Sequence, residues 1–209
     1  MSLKKVLLSL LKKICNLIFS KRRVENFSYF YLIRNIYKRF LALNGISNIT
    51  IILKNETYVN DNFDINPLIK IFTNTYNIYN LSYPERLKSI IENGYFTKRS
   101  TLFAVVIDND IKAYSWLHPN YEPDGDIRLL DINNYYSIGP TFVRTEYRNK
   151  GFSKILYHAV CEVDKKNNKW PIYTGIEIDN IPMIKARKNS GYILQKIIIR
   201  TKNGEPIIL

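Results

Sequence analysis

A single α/β domain, with a mixed, mostly antiparallel sheet flanked by helices and a basic amphipathic arm ahead of it, is what the sequence predicts. Three observations carry this. Short apolar runs rich in β-branched residues crowd the middle of the chain, and a strand, helix, strand, helix, strand succession follows toward the C-terminus. The 209 residues include only eight glycines and eight prolines, too few for a linker-rich or disordered chain. The arm is assigned residues 1–45 and the domain residues 46–209.

In chain order, NITIILKN (48–55) reads as a strand. Residues 66–79 are ambiguous, and the pattern favours a helix started by Pro67. Pro84 opens PERLKSIIENG, a helix that Gly94 stops. Two strands, Leu102 to Asp108 and Ile111 to Leu117, meet at Asn109 and Asp110 as a hairpin. The loop YEPDGD (121–126) leads to IRLLDI and YYSIGPTFV, a second hairpin or one broken strand. FSKILYHAVCEVDKKNN reads as a helix burying Phe152, Ile155, Leu156, Ala159, Val160 and Val163. IYTGIEI is a strand, IPMIKARKNSG a helix ended by Gly191, and YILQKIIIR the closing strand.

The net charge of +13 is unevenly placed. Residues 1–40 hold ten Lys and Arg against Glu25 alone, whereas the remainder holds twenty-one against seventeen acids. The excess therefore belongs to the arm, which disfavours a nucleic-acid groove spread over the fold. On a helical wheel Val6, Leu7, Leu10, Leu11, Ile14, Leu17 and Ile18 share one face; Lys5, Ser9, Lys12, Lys13 and Asn16 share the other, and Lys21 to Arg23 follow. Residues 1–23 thus suit the surface of an anionic membrane, without spanning it, and equally suit packing on the domain or on a second copy in a homodimer. The expected location is cytoplasmic, peripheral at the inner face of the cytoplasmic membrane. Cys15 and Cys161 form no paired motif, and with His118 and His158 they make no zinc pattern, so no metal is expected.

The informative stretch runs from Gly139 to Asn180. A strand enters the polar turn EYRNKGFS, whose end opens a helix. Successive N–H groups there suit a phosphate, with Gly151 permitting close approach and Arg148 and Lys150 adding charge. The pattern is neither GxGxxG nor GxxxxGK.

Arg148 to Ser153, RNKGFS, resembles the Arg/Gln-x-x-Gly-x-Gly/Ala signature of the GCN5-related N-acetyltransferases (GNAT), and Asn180, Ala186, Gly191 and Tyr192 fall where that family often has an Asn, a small residue and a Gly followed by an aromatic. The resemblance implies a GNAT-like sheet in which two strands splay around acetyl-CoA or another acyl-CoA. It implies that Arg148, Asn149, Lys150, Gly151, Phe152 and Ser153 hold the pyrophosphate, that Phe142, Val143 and Arg144 pair with the pantetheine through backbone atoms, and that Asn180 contributes to the coenzyme site. Val143 would also stabilise the oxyanion. The sequence departs from the family at Ser153, in place of the second small residue, and at Arg187, where a tyrosine directed at the thiolate is common. Arg187 would stabilise that thiolate; the alternative is an exposed strip with Lys185 and Lys188. Otherwise the thiolate would leave unassisted, or Tyr192 or Tyr157 would reach the sulfur. Glu177 and His118 are the leading candidates for the base, with Asp131 and Glu146 behind them.

The implied reaction is acyl transfer from coenzyme A to a primary amine on a small molecule or a carrier-linked sugar. A weaker resemblance, carried by Ile138, Gly139 and Pro140, is to members from bacterial surface-glycan clusters and points to an amino sugar. The alternative is a non-catalytic acyl-CoA-binding or membrane-associated interaction protein.

Overall fold

The computed structural model describes residues 45–55, 65–96, 99–120, 125–167, 170–202 and 206–208, together with positions 9, 38, 41 and 42. The amphipathic pattern of residues 1–23 lies almost wholly outside the described residues. Among the described residues eight strands make one sheet: β1 (Ile46–Asn55), β2 (Ile69–Phe72), β3 (Thr101–Ile107), β4 (Asp110–Pro119), β5 (Tyr136–Val143), β6 (Ile172–Glu177), β7 (Tyr192–Thr201) and β8 (Pro206–Ile208). Their order across the sheet is β2-β3-β4-β5-β6-β1-β7-β8. Every pairing is antiparallel except β5 with β6. The helices that lie whole within the described residues are α1 (Glu85–Glu92), α2 (Phe152–Asn167) and α3 (Ile181–Asn189).

Strand alternation assigns the helices to faces. Phe103, Val105, Ala113, Leu117, Ile172 and Ile176 pack with Leu156 and Val160 of α2 and Ile184 of α3 in one core. The alternate residues Leu102, Ala104, Val106, Tyr114 and Trp116 turn to the other face, where Leu87 of α1 covers them. Farther along that second face Ile52, Tyr173 and Ile198 meet Ile127 and Tyr135. The sheet is therefore a layer between α2 and α3 on one side and α1 with the Ile127–Leu130 turn on the other.

Most elements form where periodicity places them. The β3–β4 turn is Asp108-Asn109, one residue earlier than expected; both residues have positive φ, 52° and 56°, as a two-residue hairpin with the right twist requires. Two expectations are corrected. Pro67 does not start a helix: it sits in a turn, and Ile69 to Phe72 pair with Val105 to Leu102 as an edge strand, burying Ile69 and Phe72. Residues 127–132 form no strand either. Ile127–Leu130 is one 3-10 turn that buries Ile127, and Asp131 ends it in the left-handed region at φ 51°, so β5 pairs back to β4 alone on that side.

β1 lies inside the sheet, bonded to β6 on one edge and β7 on the other. Its nearly continuous apolar run suits a strand buried on both faces: Ile49, Ile51, Ile52 and Leu53 are all buried. Immediately ahead of it, Leu41 is buried in the main core and Lys38 pairs with Asp179, Nζ to Oδ2 3.3 Å.

Candidate active site

The site begins where the sheet fails to close. β5 and β6 pair only at Tyr136–Ile172 and Ser137–Tyr173. Beyond them the Thr174 hydroxyl donates to the Ile138 carbonyl at 3.1 Å. The cause lies in β5. Ser115 faces Thr141 and Leu117 faces Ile138, so three steps on β5 span two on β4 and Gly139-Pro140 forms a bulge. The extra residue also reverses the alternation: Ile138 packs in the α2 core, whereas Phe142 packs on the α1 side and stacks on Tyr114, ring centroids 5.4 Å apart. Gly139, at φ 138°, supplies the backbone conformation that a side chain disfavours.

The opening is a cleft of about 540 Å³ that reaches both faces of the sheet. Its walls include Ile138 to Thr141 of β5 and Thr174 to Glu177 of β6, with Asn180 just ahead of α3, Met183 and Arg187 from α3, and Arg86, Ser89 and Ile90 from α1.

The edge of β5 that looks into the gap can be read from the ladder. The Arg144 N–H donates to the Lys112 carbonyl at 3.0 Å, so Arg144 and Phe142 spend their backbone groups on β4. The intervening Val143 points its N–H and carbonyl to the open edge, where Arg148 Nε donates to the carbonyl at 3.4 Å. Of the three residues expected to pair with a ligand through the backbone, only Val143 has its edge available. The Arg144 side chain is likewise engaged, with Nη2 2.6 Å from Asp110 Oδ1 and Nε 3.1 Å from the Ile111 carbonyl.

At the end of β5 the chain turns through Thr145–Tyr147 into α2. The Arg148 N–H is spent on the Thr145 carbonyl, 3.2 Å. The N–H groups of Asn149, Lys150, Gly151, Phe152 and Ser153 meet no acceptor among the described residues; the first α2 bonds run from Lys154 and Ile155 back to the Gly151 carbonyl. Asn149 and Gly151 both have positive φ, 61° and 80°. Five unpaired donors on such a turn at a helix N-terminus make a concave anion site. A Cβ on Gly151 would meet nothing within 4 Å, so the space above the turn is open. Lys150 and Lys112 both lie against the Tyr147 ring, at 4.8 and 5.2 Å, and Tyr147 stacks on Phe152 at 5.7 Å. Lys112 also bonds Asp110 at 2.7 Å, which holds its ammonium pKa above the usual lysine value.

Arg187 is only 1% exposed, and Nε and Nη1 have no hydrogen-bond partner among the described residues. Its guanidinium carbon sits 3.5 Å from the Tyr157 ring centroid and 5.2 Å from that of Tyr192. The two rings hold the cation by their faces without satisfying its N–H groups. The exposed strip with Lys185 and Lys188 is thus excluded for Arg187. Tyr157 does not line the cleft, and its hydroxyl donates to Met183 Sδ at 2.7 Å.

The candidate bases separate. Glu177 follows Tyr173 and Gly175 on the α1 face, is exposed and lines the cleft; Asn48 Nδ2 approaches its Oε1 at 3.4 Å. His118 is fully buried and lines no part of the cleft. Its Nε2–H donates to the Gly139 carbonyl at 2.5 Å, and the Ser100 hydroxyl donates to Nδ1 at 2.6 Å. Both ring nitrogens are occupied, so His118 is a pin for the bulge and not a base facing the cleft. Asp131 and Glu146 are exposed and away from the cleft. Arg86 was not anticipated from sequence; the signal available was its spacing to Ser89 and Ile90 on one face of α1. Among the described residues no group of three or more His, Cys, Asp or Glu side chains could hold a metal ion.

Unpaired amides at a helix start, one free strand edge beside them and a buried cation across the gap fit the phosphates, amide-bearing arm and sulfur of coenzyme A. Residues 66–192 match the acetyltransferase (GNAT) family model, and the chain belongs to that family. Its fold is similar to that of a GNAT-family protein from Novosphingobium aromaticivorans, at 14% identity over 73% of this chain and 62% of that one, TM-score 0.55. It is also similar to a GCN5-related glucosamine N-acetyltransferase region of a fungal multi-domain GH3 β-N-acetylglucosaminidase, at 13% identity, TM-score 0.50, over 79% of this chain and 22% of that one. The chain thus spans less than two thirds of either structure. No curated protein matches it in sequence.

Proposed function

We propose that this protein transfers an acyl group, acetyl in the first instance, from coenzyme A to a primary amine. The observation that carries the reading is the split between β5 and β6, followed at the end of β5 by a Val143 edge that no strand pairs and by the Asn149–Ser153 amides. When bound, the coenzyme supplies an activated thioester. The five turn amides bind its pyrophosphate, Val143 carries the pantetheine on its backbone and offers its N–H to the thioester oxygen, and Asn180 borders the same cleft. Arg187 provides positive potential where the sulfur departs. Glu177 takes a proton from the amine on the opposite face. One C–S bond breaks and one C–N bond forms; of the two protons the ammonium loses, one leaves on the thiol and the other reaches solvent through Glu177.

An amino sugar on a phosphate-bearing carrier is the acceptor favoured by the resemblance through Ile138, Gly139 and Pro140. For residues 1–23 the reading is contact with an anionic membrane surface, supported by their amphipathic charge pattern; among the described residues no helix is long and apolar enough to cross a membrane. Release of free thiol from acetyl-CoA in the presence of an amine panel, with Glu177→Gln as control, tests the catalytic reading. Amine-dependent release that Glu177→Gln slows at least about tenfold is expected. Tight acetyl-CoA binding without thiol release for any amine would instead mark a non-catalytic binding protein.

A further inference from the structure

Among the described residues three charged side chains line the cleft, Arg86, Glu177 and Arg187, and they divide between the two faces of the sheet. Arg187 stands on the α3 side, the side from which the Asn149–Ser153 amides and α2 approach. Arg86 and Glu177 stand on the α1 side, where no part of the coenzyme site lies. A donor entering from the α2 side leaves this second mouth to the acceptor. Resting on the acyl-transfer reading above, we propose that the acceptor is a small amine that also carries an anionic group, a carboxylate or a phosphate, with its amine at Glu177 and its anion at Arg86.

Among the described residues neither charge on this mouth meets an opposite charge. Arg86 shares one face of α1 with Ser89 and Ile90, which also line the cleft. The adjacent acid Glu85 pairs with Lys88 instead, at 3.8 Å, and no carboxylate among the described residues lies within ion-pair distance of Arg86. Glu177 meets Asn48, a neutral donor, and no cation among the described residues. One cation and one anion held apart across a cleft complement a ligand with the same two charges reversed. A neutral amine would leave the guanidinium without a counter-charge, and a polyamine would place further positive charge against it. Arginine also suits the role, because its planar donors match the oxygens of carboxylate and phosphate. Ser89, one turn along the same face, adds a hydroxyl to that end of the cleft.

The experiment compares kcat/KM for matched acceptors with acetyl-CoA as donor: glucosamine 6-phosphate against glucosamine, and serine against ethanolamine. The expected result is a preference of about tenfold or more for the anionic member of one pair, with that pair distinguishing phosphate from carboxylate. In Arg86→Gln the preference should fall to within about threefold, and Arg86→Lys should restore part of it, while calorimetric affinity for acetyl-CoA stays unchanged in both. Arg86 is exposed, so these variants should retain the native melting temperature. Equal use of charged and neutral partners, no transfer to any of the four while acetyl-CoA binds, or a preference that survives Arg86→Gln would each overturn the proposal and leave the acyl-transfer reading standing. Absence of acetyl-CoA binding to the native protein would overturn both.

Discussion

A guanidinium that is 1% exposed, with two nitrogens lacking acceptors among the described residues, costs a folded protein several kcal/mol that two aromatic faces return only in part. Arg187→Met, which keeps the bulk and drops the charge, should therefore raise thermal stability, by about 1–3 kcal/mol, while lowering kcat more than it weakens acyl-CoA binding. Thermal melts and steady-state kinetics on one preparation read both effects, and a destabilised variant would show that the charge has a structural partner. Tyr114 is a second buried polar group whose hydroxyl has no acceptor among the described residues. Burial pushes its pKa up to about 12. Since the folded state holds the proton more tightly, the stability tied to this group is fully present below pH about 10 and is lost as pH rises through about 12. Tyr114→Phe should be neutral or slightly stabilising at pH 7 and should flatten that alkaline loss in denaturation curves.

At the scale of elements, the cleft depends on a β5 bulge held from behind. His118 on β4 grips the Gly139 carbonyl and is itself fixed by Ser100, which precedes β3, while Thr174 ties β6 to Ile138 just before the strands part. His118→Ala would leave the Gly139 carbonyl and the Ser100 hydroxyl unpaired, a loss of about 2–4 kcal/mol. Because the bulge forms the cleft wall, KM for the amine should rise more than kcat falls, and His118→Gln should recover part of both; equal effects on each constant would reduce His118 to a packing residue. The local devices here were legible in sequence. Pro84 and Gly94 bracket α1, the 3.6-residue period marks α2, and the polar turn before Phe152 announces the amides. Pairing that spans long separations was not. Pro67 gives a helix signal, yet β2 exists because β3 offers it a ladder of partners 30 to 36 residues away. Arg187, between Lys185 and Lys188, looks like part of a solvated strip, and only the approach of Tyr157 and Tyr192 through the tertiary fold buries it. His118 sits at a strand end by sequence and is sealed by Tyr95 and Trp116, centroids 5.1 and 6.1 Å away.

For the whole molecule, the decisive feature is the first strand lying inside the sheet. β1 pairs with residues 173–177 on one side and 192–201 on the other, so the family-matched span 66–192 omits a structural member. A chain restricted to residues 66–192 should fail to show a cooperative melt, because it exposes the β6 edge and lacks β7. A chain starting at residue 37, which keeps Leu41 and Lys38, should fold. A cooperative transition in the shorter chain would show that β1 is dispensable. β1 also runs antiparallel to β6, so its start lies at the Glu177 end, the end from which α3 and the cleft open. Ile46 at the start of β1 therefore stands at the same end as the site, a placement that no local pattern in the sequence announces.

Calorimetry with acetyl-CoA reads whether the Asn149–Ser153 turn and the open β5 edge hold coenzyme A, as proposed above. The native protein should bind at a one-to-one ratio. Gly151→Val, which puts a branched side chain at φ 80° and into the open space above the amides, should weaken binding by about tenfold or more, whereas Lys150→Ala, which removes only an exposed charge, should weaken it by about threefold or less. No binding of acetyl-CoA or longer acyl-CoA to the folded native protein, or equal binding by Gly151→Val, would show that this turn holds no coenzyme A.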